Sequence, residues 1–192
     1  AHIYDNGMPF FNKLFVSPIS DNGLLFYKYY LIDSIYIGKY RCYHLQFKPR
    51  RQQELTFSGN MWIADTSFAV KRIEMSMGND ANINFINTLS LAEEFERVDS
   101  NWMLSKERFV IDFALREKGM GIYGRKTTSY RNFVINKPRP DNFFSVGDHV
   151  VVMDSASKKA DAYWENNRHD TLAKNEKVIY QMVDSIKKLP QF

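Results

Sequence analysis

The residue types that most often carry chemistry in proteins are sparse in this chain. Its histidines are His2, His44, His149 and His169, and its single cysteine is Cys42. None of them lies at metal-ligand spacing from another His or Cys, and neither HExxH nor CxxC occurs. The sequence therefore predicts no metal site and no cofactor. We interpret Cys42, which lies in an aromatic strand-like segment, as a small buried or half-buried residue and not as a nucleophile.

A glycine-rich segment, Gly119–Gly124, matches the pattern G-x-G-x-x-G. In dinucleotide-binding proteins this pattern follows a strand, opens a helix and is followed by an acidic residue that holds the ribose. Here a basic, strand-like segment follows it instead. We therefore interpret the glycines as a flexible loop between strands.

An acidic group, Glu93, Glu94 and Glu96, could supply an acid–base pair. On a strand Glu94 and Glu96 share one face, so the solvated face of a strand is the favoured interpretation. No nucleophile, base and orienting group can be identified from spacing alone. The sequence therefore favours a protein without enzymatic activity.

One less favoured hypothesis is a hydrolase that acts on envelope lipid or glycan. It would require titratable groups to converge in one pocket, for example His44 with Glu54 or Asp112. Sequence spacing cannot test this convergence.

Alternating strands must position whatever site the chain has. Apolar and polar residues alternate with a period of two through most of residues 24–136, and Gly38-Lys39 and Asp65–Ser67 provide turns between the alternating segments. Gly59, inside one strand, indicates a bend or a close approach of backbone. We predict about seven or eight strands in an antiparallel meander that ends with a strand over residues 125–135.

The two ends of this region carry different patterns. Residues 1–23 are predicted to be irregular, with a short helix at Phe10–Phe15, and the apolar run Leu24–Asp33 predicts a buried strand. Leu89–Val98 fits a helix or a strand; we favour a strand because Leu89, Leu91 and Phe95 share one face.

The composition changes near residue 141. Residues 142–153 are predicted to be extended, and from Ala160 the apolar period becomes helical until Pro190. We predict two domains: residues 1–140, an antiparallel domain with an irregular N-terminal segment, and residues 141–192, a linker and helix leading to a downstream membrane region. The apolar stripe of the helix comprises Leu172, Ile179, Met182, Val183, Ile186 and Leu189.

Methionine and aromatic side chains dominate the inward positions of the predicted sheet. Two interpretations remain open. These residues form an ordinary core, or they line an incompletely filled cavity that takes an apolar ligand such as a lipid or lipoprotein acyl chain. The candidate lining residues of such a groove are Phe47, Phe57, Met61, Ile73, Met75 and Phe113.

Composition limits the possible partners and setting. The net charge of the 192 residues is only +4, and we interpret the densest basic cluster, Lys48–Arg51, as a solvated turn, so nucleic acid is not an expected partner. One cysteine allows no intrachain disulfide, and no apolar stretch is long enough to span a bilayer as a helix. The abrupt start at Ala1 suggests a fragment of a larger exported protein.

Several motifs occur in a specific order along the chain and together resemble one protein family. It is the Bacteroidetes family of unknown function with a carboxypeptidase-regulatory-like sandwich upstream and an outer-membrane barrel-like region downstream. The resemblance covers nearly the whole chain. Its motifs are Ser17-Pro18, Tyr27–Leu31, Phe47–Arg51, Phe57–Ile63, Thr127–Tyr130 and Tyr163–Arg168, followed by Glu176 and Tyr180.

The resemblance implies a fold and a setting. The middle region of the family is similar to the half-barrel of lipoprotein carriers of the LolA/LolB kind. This implies an α+β, mainly β fold, in which a curved antiparallel sheet with a C-terminal helix cups an apolar groove at the periplasmic face of the outer membrane. One departure is Ala173, at the position where the family has the Ser or Thr of a helix capping box.

The expected function is therefore non-enzymatic. The domain would hold an apolar or lipidated ligand or dock partner domains, including adjacent domains of the full-length protein. A purely structural spacer with a filled core is the alternative.

Overall fold

The computed structural model describes residues 2–51, 53–77, 83, 85–114, 121–144, 155, 158–169 and 171–187. Contacts divide the chain into two compact units, Ala1–Phe133 and Val134–Phe192. The predicted domain boundary, after residue 140, lies inside the second unit.

The first unit is mainly β, as the sequence predicted. Its sheet is an antiparallel meander of seven strands in sequence order, and the described strands do not close into a barrel. The strands are β3 (Tyr27–Ile37), β4 (Tyr40–Pro49), β5 (Phe57–Ala64), β6 (Val70–Met77), β7 (Ile86–Val98), β8 (Asn101–Ala114) and β9 (Gly121–Ser129). β3 and β9 form the two edges of this sheet.

Alternation along the strands gives the sheet two chemically different faces. Phe47, Gly59, Met75, Leu91 and Phe109 lie opposite one another on successive strands and define the face that we call the packed face. The neighbouring row defines the opposite, open face, and its residues are Gln46, Asn60, Glu74, Ala92 and Arg108. The core of the unit lies on the packed face.

The N-terminal segment is a hairpin and not the helix predicted at Phe10–Phe15. β1 (Gly7–Phe10) pairs with β2 (Lys13–Val16), and the turn residues Phe11 and Asn12 both have positive φ. A two-residue hairpin turn of this kind requires positive φ at both positions, and Asn-Gly is its usual sequence. Because Phe rarely adopts this conformation, the turn carried little sequence signal.

The run Leu24–Asp33 is not the buried strand that its composition predicted. Gly23–Phe26 forms a short helix, α1, and the strand begins at Tyr27. Of β3 only Tyr27 is buried, and every residue from Tyr30 to Tyr36 is exposed. An apolar composition predicts a strand that is buried on both faces. β3 instead lies at the edge of the sheet, where most of its side chains are uncovered.

Several local predictions are confirmed. Gly38 lies in the β3–β4 turn with φ of +60°, residues 65–67 form the β5–β6 turn, and Leu89–Val98 is strand. The last strand is earlier than predicted and ends at Ser129. Gly121 and Gly124 lie within it and not in a loop, whereas Gly119 lies outside the described residues.

The described residues of the second unit form two α-helices where the sequence predicted one. They are α2 (Asp161–Asn167) and α3 (Lys174–Lys187), and a 3-10 turn covers Asp141–Phe144. Of the predicted apolar stripe, Ile179, Met182, Val183 and Ile186 are exposed, Leu172 is half-buried and Leu189 lies outside the described residues. The rest of the predicted extended segment, residues 145–153, also lies outside them. Among the described residues, no helix has both the length and the apolar character needed to cross a membrane.

Candidate functional site

The six predicted groove residues come together on the packed face. They occupy β4, β5, β6 and β8, and Met61 lies directly opposite Ile73. Five of them are buried, and Phe113 is half-buried against the same cluster. The structure therefore places all six in the core of the first unit.

The N-terminal hairpin covers this face. The ring of Phe15 stacks on that of Phe57 with centroids 4.8 Å apart, and Phe10 stacks on Phe109 at 6.1 Å. The Tyr27 hydroxyl donates a hydrogen bond to the Val16 carbonyl (2.6 Å) and accepts one from the backbone N–H of Phe57 (3.0 Å). An apolar ligand could reach the six residues only if the hairpin moved.

One buried acid interrupts the packed face. Glu93 is fully buried in the row of Met61 and Ile73, and neither of its carboxylate oxygens has a hydrogen-bond partner among the described residues. Burial, followed by the negative charge of Glu107 directly opposite on β8, raises the pKa of Glu93 to about 7. A group that titrates near neutrality without contact with solvent makes this position sensitive to pH.

The sequence carried a signal for Glu93 that the interpretation of the glutamates as a solvated face missed. Leu91, Glu93 and Phe95 alternate along β7, and all three are buried on the packed face. Glu94 and Glu96 have the opposite parity, and both are at least partly open to solvent. The period-two alternation of β7 therefore predicts that Glu93 shares the buried face of Leu91 and Phe95, and that Glu94 and Glu96 lie on the other face.

A histidine with two hydrogen-bond partners lies on the open face. Nδ1 of His44 lies 3.2 Å from Asp33 Oδ1, and Nε2 lies 2.9 Å from Asn60 Oδ1. The imidazole stacks on Trp62 with ring centroids 4.8 Å apart, and the Arg72 guanidinium lies 5.3 Å from the same indole ring. These contacts engage both nitrogens and one face of the ring.

The two carboxylates that the sequence offered as partners of His44 form other contacts. Glu54 pairs with Arg51 at 3.0 Å, and Asp112 accepts a hydrogen bond from Asn87 at 3.3 Å. In the part of the chain that the structure describes, no group of three or more His, Cys, Asp or Glu residues could hold a metal ion.

A shallow groove of about 390 Å³ also lies on the open face. Its side chains are small and mostly polar, and its one carboxylate, Glu74, is hydrogen-bonded to Arg72. The groove offers hydrogen bonds without an evident catalytic pair. Its open-face lining consists of Ser58, Asn60, Glu74, Ser76, Ser90, Ala92, Arg108 and Val110.

A group of exposed apolar side chains lies at the β3 edge of the sheet. Both sides of this strand carry exposed aromatic or aliphatic side chains, with Leu31 at 67% and Tyr36 at 73% exposure. The preceding helix adds Leu24 and Leu25. We define the β3 edge as Leu24, Leu25, Tyr30, Leu31, Ile32, Ile35 and Tyr36. Contiguous exposed apolar residues of this kind typically mark interaction sites.

Comparison with known proteins gives one match. A model of DUF5686, described as a family of unknown function, matches residues 1–133. These residues coincide with the first compact unit. No curated protein and no solved structure matches the chain.

Proposed function

This chain belongs to DUF5686, a family of unknown function, and from that premise we propose that it is a non-enzymatic docking domain. Its place would be the periplasmic face of a bacterial outer membrane. The ordered motifs that resemble envelope proteins, with a sandwich upstream and a barrel-like region downstream, support this setting. The seven-stranded open sheet is compatible with the half-barrel of lipoprotein carriers that the same resemblance implies.

The observation that carries the proposal is the contrast between the packed face and the β3 edge. The packed face is filled by the hairpin of the chain itself, whereas the β3 edge leaves seven large apolar side chains in solvent. Natural sheets usually protect an edge with charges, proline or a covering segment. An edge that is long and apolar fits a surface that a protein partner covers.

A docking role without catalysis also agrees with the surroundings of His44. Its ring nitrogens face Asp33 and Asn60, and Trp62 covers one ring face. This arrangement links strands β3, β4 and β5 through side chains, which is a structural role for the imidazole.

Site-specific photocrosslinking in cells tests the docking role. A benzophenone amino acid is introduced at Tyr36 of the β3 edge or at Phe68, a control aromatic residue in the β5–β6 turn that is 75% exposed. We expect a discrete crosslinked protein from position 36 and none from position 68. Equal crosslinking at both positions, or none at either in folded protein, would contradict docking at β3.

Holding of an apolar ligand is the second candidate function, and the composition of the packed face supports it. Met8, Met61, Met75 and Met77 lie among phenylalanines there, and methionine adapts to irregular apolar ligands. The ligand would be a lipid or a lipoprotein acyl chain that replaces the hairpin.

Native mass spectrometry after exposure to an envelope lipid extract distinguishes the two candidates. A stoichiometric adduct of lipid mass, lost in a folded Met75→Asp variant, would support the carrier function. A bare mass would support docking or a spacer, and a folded Met75→Asp variant that still binds lipid would exclude Met75 as lining.

A further inference from the structure

We propose that the β3 edge pairs with the β3 edge of a second copy of this chain, in an antiparallel arrangement with two-fold symmetry. The inference rests on the proposed docking function and names its partner. In the resulting dimer, the two sheets would join into one continuous sheet through their first strands.

The free backbone edge of β3 is long and weakly protected against pairing. It spans eleven residues, Tyr27–Ile37, without proline, and its only charged residues are Lys28 and Asp33. Natural edge strands are usually protected from pairing by charges, proline or bulges, and of these β3 has only the two charged residues and the bulge at Ile32. β3 pairs with β4 on one side, and no other described strand pairs with its second side.

The bulge in β3 determines which register a second copy can adopt. Against β4, Leu31 lies opposite Leu45 and Asp33 lies opposite His44, so Ile32 is the extra residue. A two-fold axis at Tyr30, with Ile32 again skipped, places Tyr29 opposite the partner's Leu31 and Lys28 opposite the partner's Asp33. In this register every opposed pair has its side chains on the same face of the joined sheet, as antiparallel pairing requires.

Charge complementarity favours this register. Lys28 lies directly opposite Lys48 on β4, both are exposed, and neither forms an ion pair within the described part of the chain. Like charges in opposed positions are destabilising, and opposite charges are stabilising. The partner's Asp33 would bring a carboxylate beside this lysine pair, and symmetry would repeat the contact at the other end of the interface.

The other edge of the sheet is a poorer match for β3. The charged residues of β9 are Arg125 and Lys126, so this edge could pair with Asp33 but offers Lys28 no opposite charge, whereas a second β3 offers an opposite charge to both. Pairing of β3 with the partner's β9 would also be head to tail and would generate rings or open chains of more than two molecules. Pairing of β3 with itself closes after two copies.

Sedimentation velocity over a range of concentrations tests the proposal with edge-specific variants. We expect the unchanged chain to dimerise reversibly and Leu31→Lys to be monomeric at the same concentrations. The matched control is Ile122→Lys on β9, where the replaced side chain is 64% exposed, and it should dimerise like the unchanged chain. Circular dichroism should show the same folded spectrum for all three.

Charge reversal tests the register. Lys28→Asp and Asp33→Lys should each weaken dimerisation about tenfold, because each places two like-charged pairs across the interface. An equal mixture of these two variants should form a heterodimer, since opposite charges face each other again at both ends. Failure of the mixture to associate would overturn the register.

Two results would overturn pairing of β3 with itself. The first is an unchanged chain that remains monomeric at every concentration, and the second is dissociation caused by Ile122→Lys. If the chain is monomeric but crosslinks a different protein through position 36, the docking function is supported and that protein is the partner of the β3 edge. If the chain is monomeric and position 36 also crosslinks no protein, both the docking function and the pairing of β3 with itself are contradicted.

Discussion

At the scale of single residues, ionisation of the buried Glu93 carboxyl makes the free energy of unfolding depend on pH. Its pKa rises from an ordinary value of 4.5 to about 7 on folding, because burial and the Glu107 charge disfavour the ionised form. The folded state therefore retains a proton that the unfolded state releases. This proton contributes roughly 3 kcal/mol to the free energy of unfolding. The contribution is complete below about pH 4.5 and is lost as the pH rises through 7.

We accordingly expect Glu93→Gln to be more stable than the unchanged chain at pH 8, by roughly 2–3 kcal/mol, and nearly equal to it at pH 4.5. Urea unfolding at several pH values measures this difference. Glu96→Gln, an exposed position on the same strand, is the control and should give no pH-dependent difference. A constant difference between Glu93→Gln and the unchanged chain from pH 4.5 to 8 would show that Glu93 does not titrate in this range.

At the scale of elements, close contact between β5 and β6 requires a residue without a side chain at position 59. A Cβ atom at Gly59 would lie 2.0 Å from the carbonyl oxygen of Glu74 and 2.8 Å from Cα of Met75. The backbone of β6 cannot withdraw without breaking its pairing with β7. We expect Gly59→Ala to destabilise the first unit by about 2–3 kcal/mol.

The matched control for this prediction is Gly124→Ala in β9. Its added methyl group would meet only the Cγ2 atom of Ile111, at 3.1 Å. The Ile111 side chain is half-buried and can move away. Its expected effect is below about 1 kcal/mol. Equal losses for both variants in chemical denaturation would show that the close approach at Gly59 is not the cause.

The N-terminus of helix α3 offers a stabilising substitution. Glu176 accepts a hydrogen bond from the backbone N–H of Ala173 (2.8 Å), which is one half of a capping box. Alanine at the cap position cannot supply the reciprocal hydrogen bond, and the backbone N–H of Glu176 donates instead to Oδ1 of the adjacent Asn175 (3.0 Å), an acceptor that a serine hydroxyl would replace. Ala173→Ser should therefore stabilise the helix by about 1 kcal/mol. Thermal melting followed by circular dichroism at 222 nm measures the gain, and Ala173→Val should show none.

At the scale of the whole molecule, the two units should unfold separately. Residues 1–133 contain the complete sheet, its hairpin and the core cluster. We expect a chain that ends at Phe133 to unfold with the same free energy as the first transition of the longer chain, within about 0.5 kcal/mol. A much lower stability of the shortened chain would show that residues 134–192 support the sheet.

The sequence by itself determined the strand content and the composition of the packed face. Alternation places Phe57, Met61, Ile73 and Met75 on one side of their strands, because successive side chains in any β-strand point to opposite faces. It also indicated a bend or a close approach of backbone at Gly59, and the structure has the close approach. These features depend on short-range geometry, and local residue patterns are sufficient to predict them.

Only the tertiary structure decided what covers each surface. The hairpin at Phe11-Asn12 needs a turn that its residues disfavour, and it forms where Phe10 and Phe15 can pack on the sheet. The apolar run of β3 became an exposed edge because the meander begins there, and Glu93 became buried because the core is assembled around it. Such outcomes depend on contacts between segments far apart in the chain, which local periodicity does not encode.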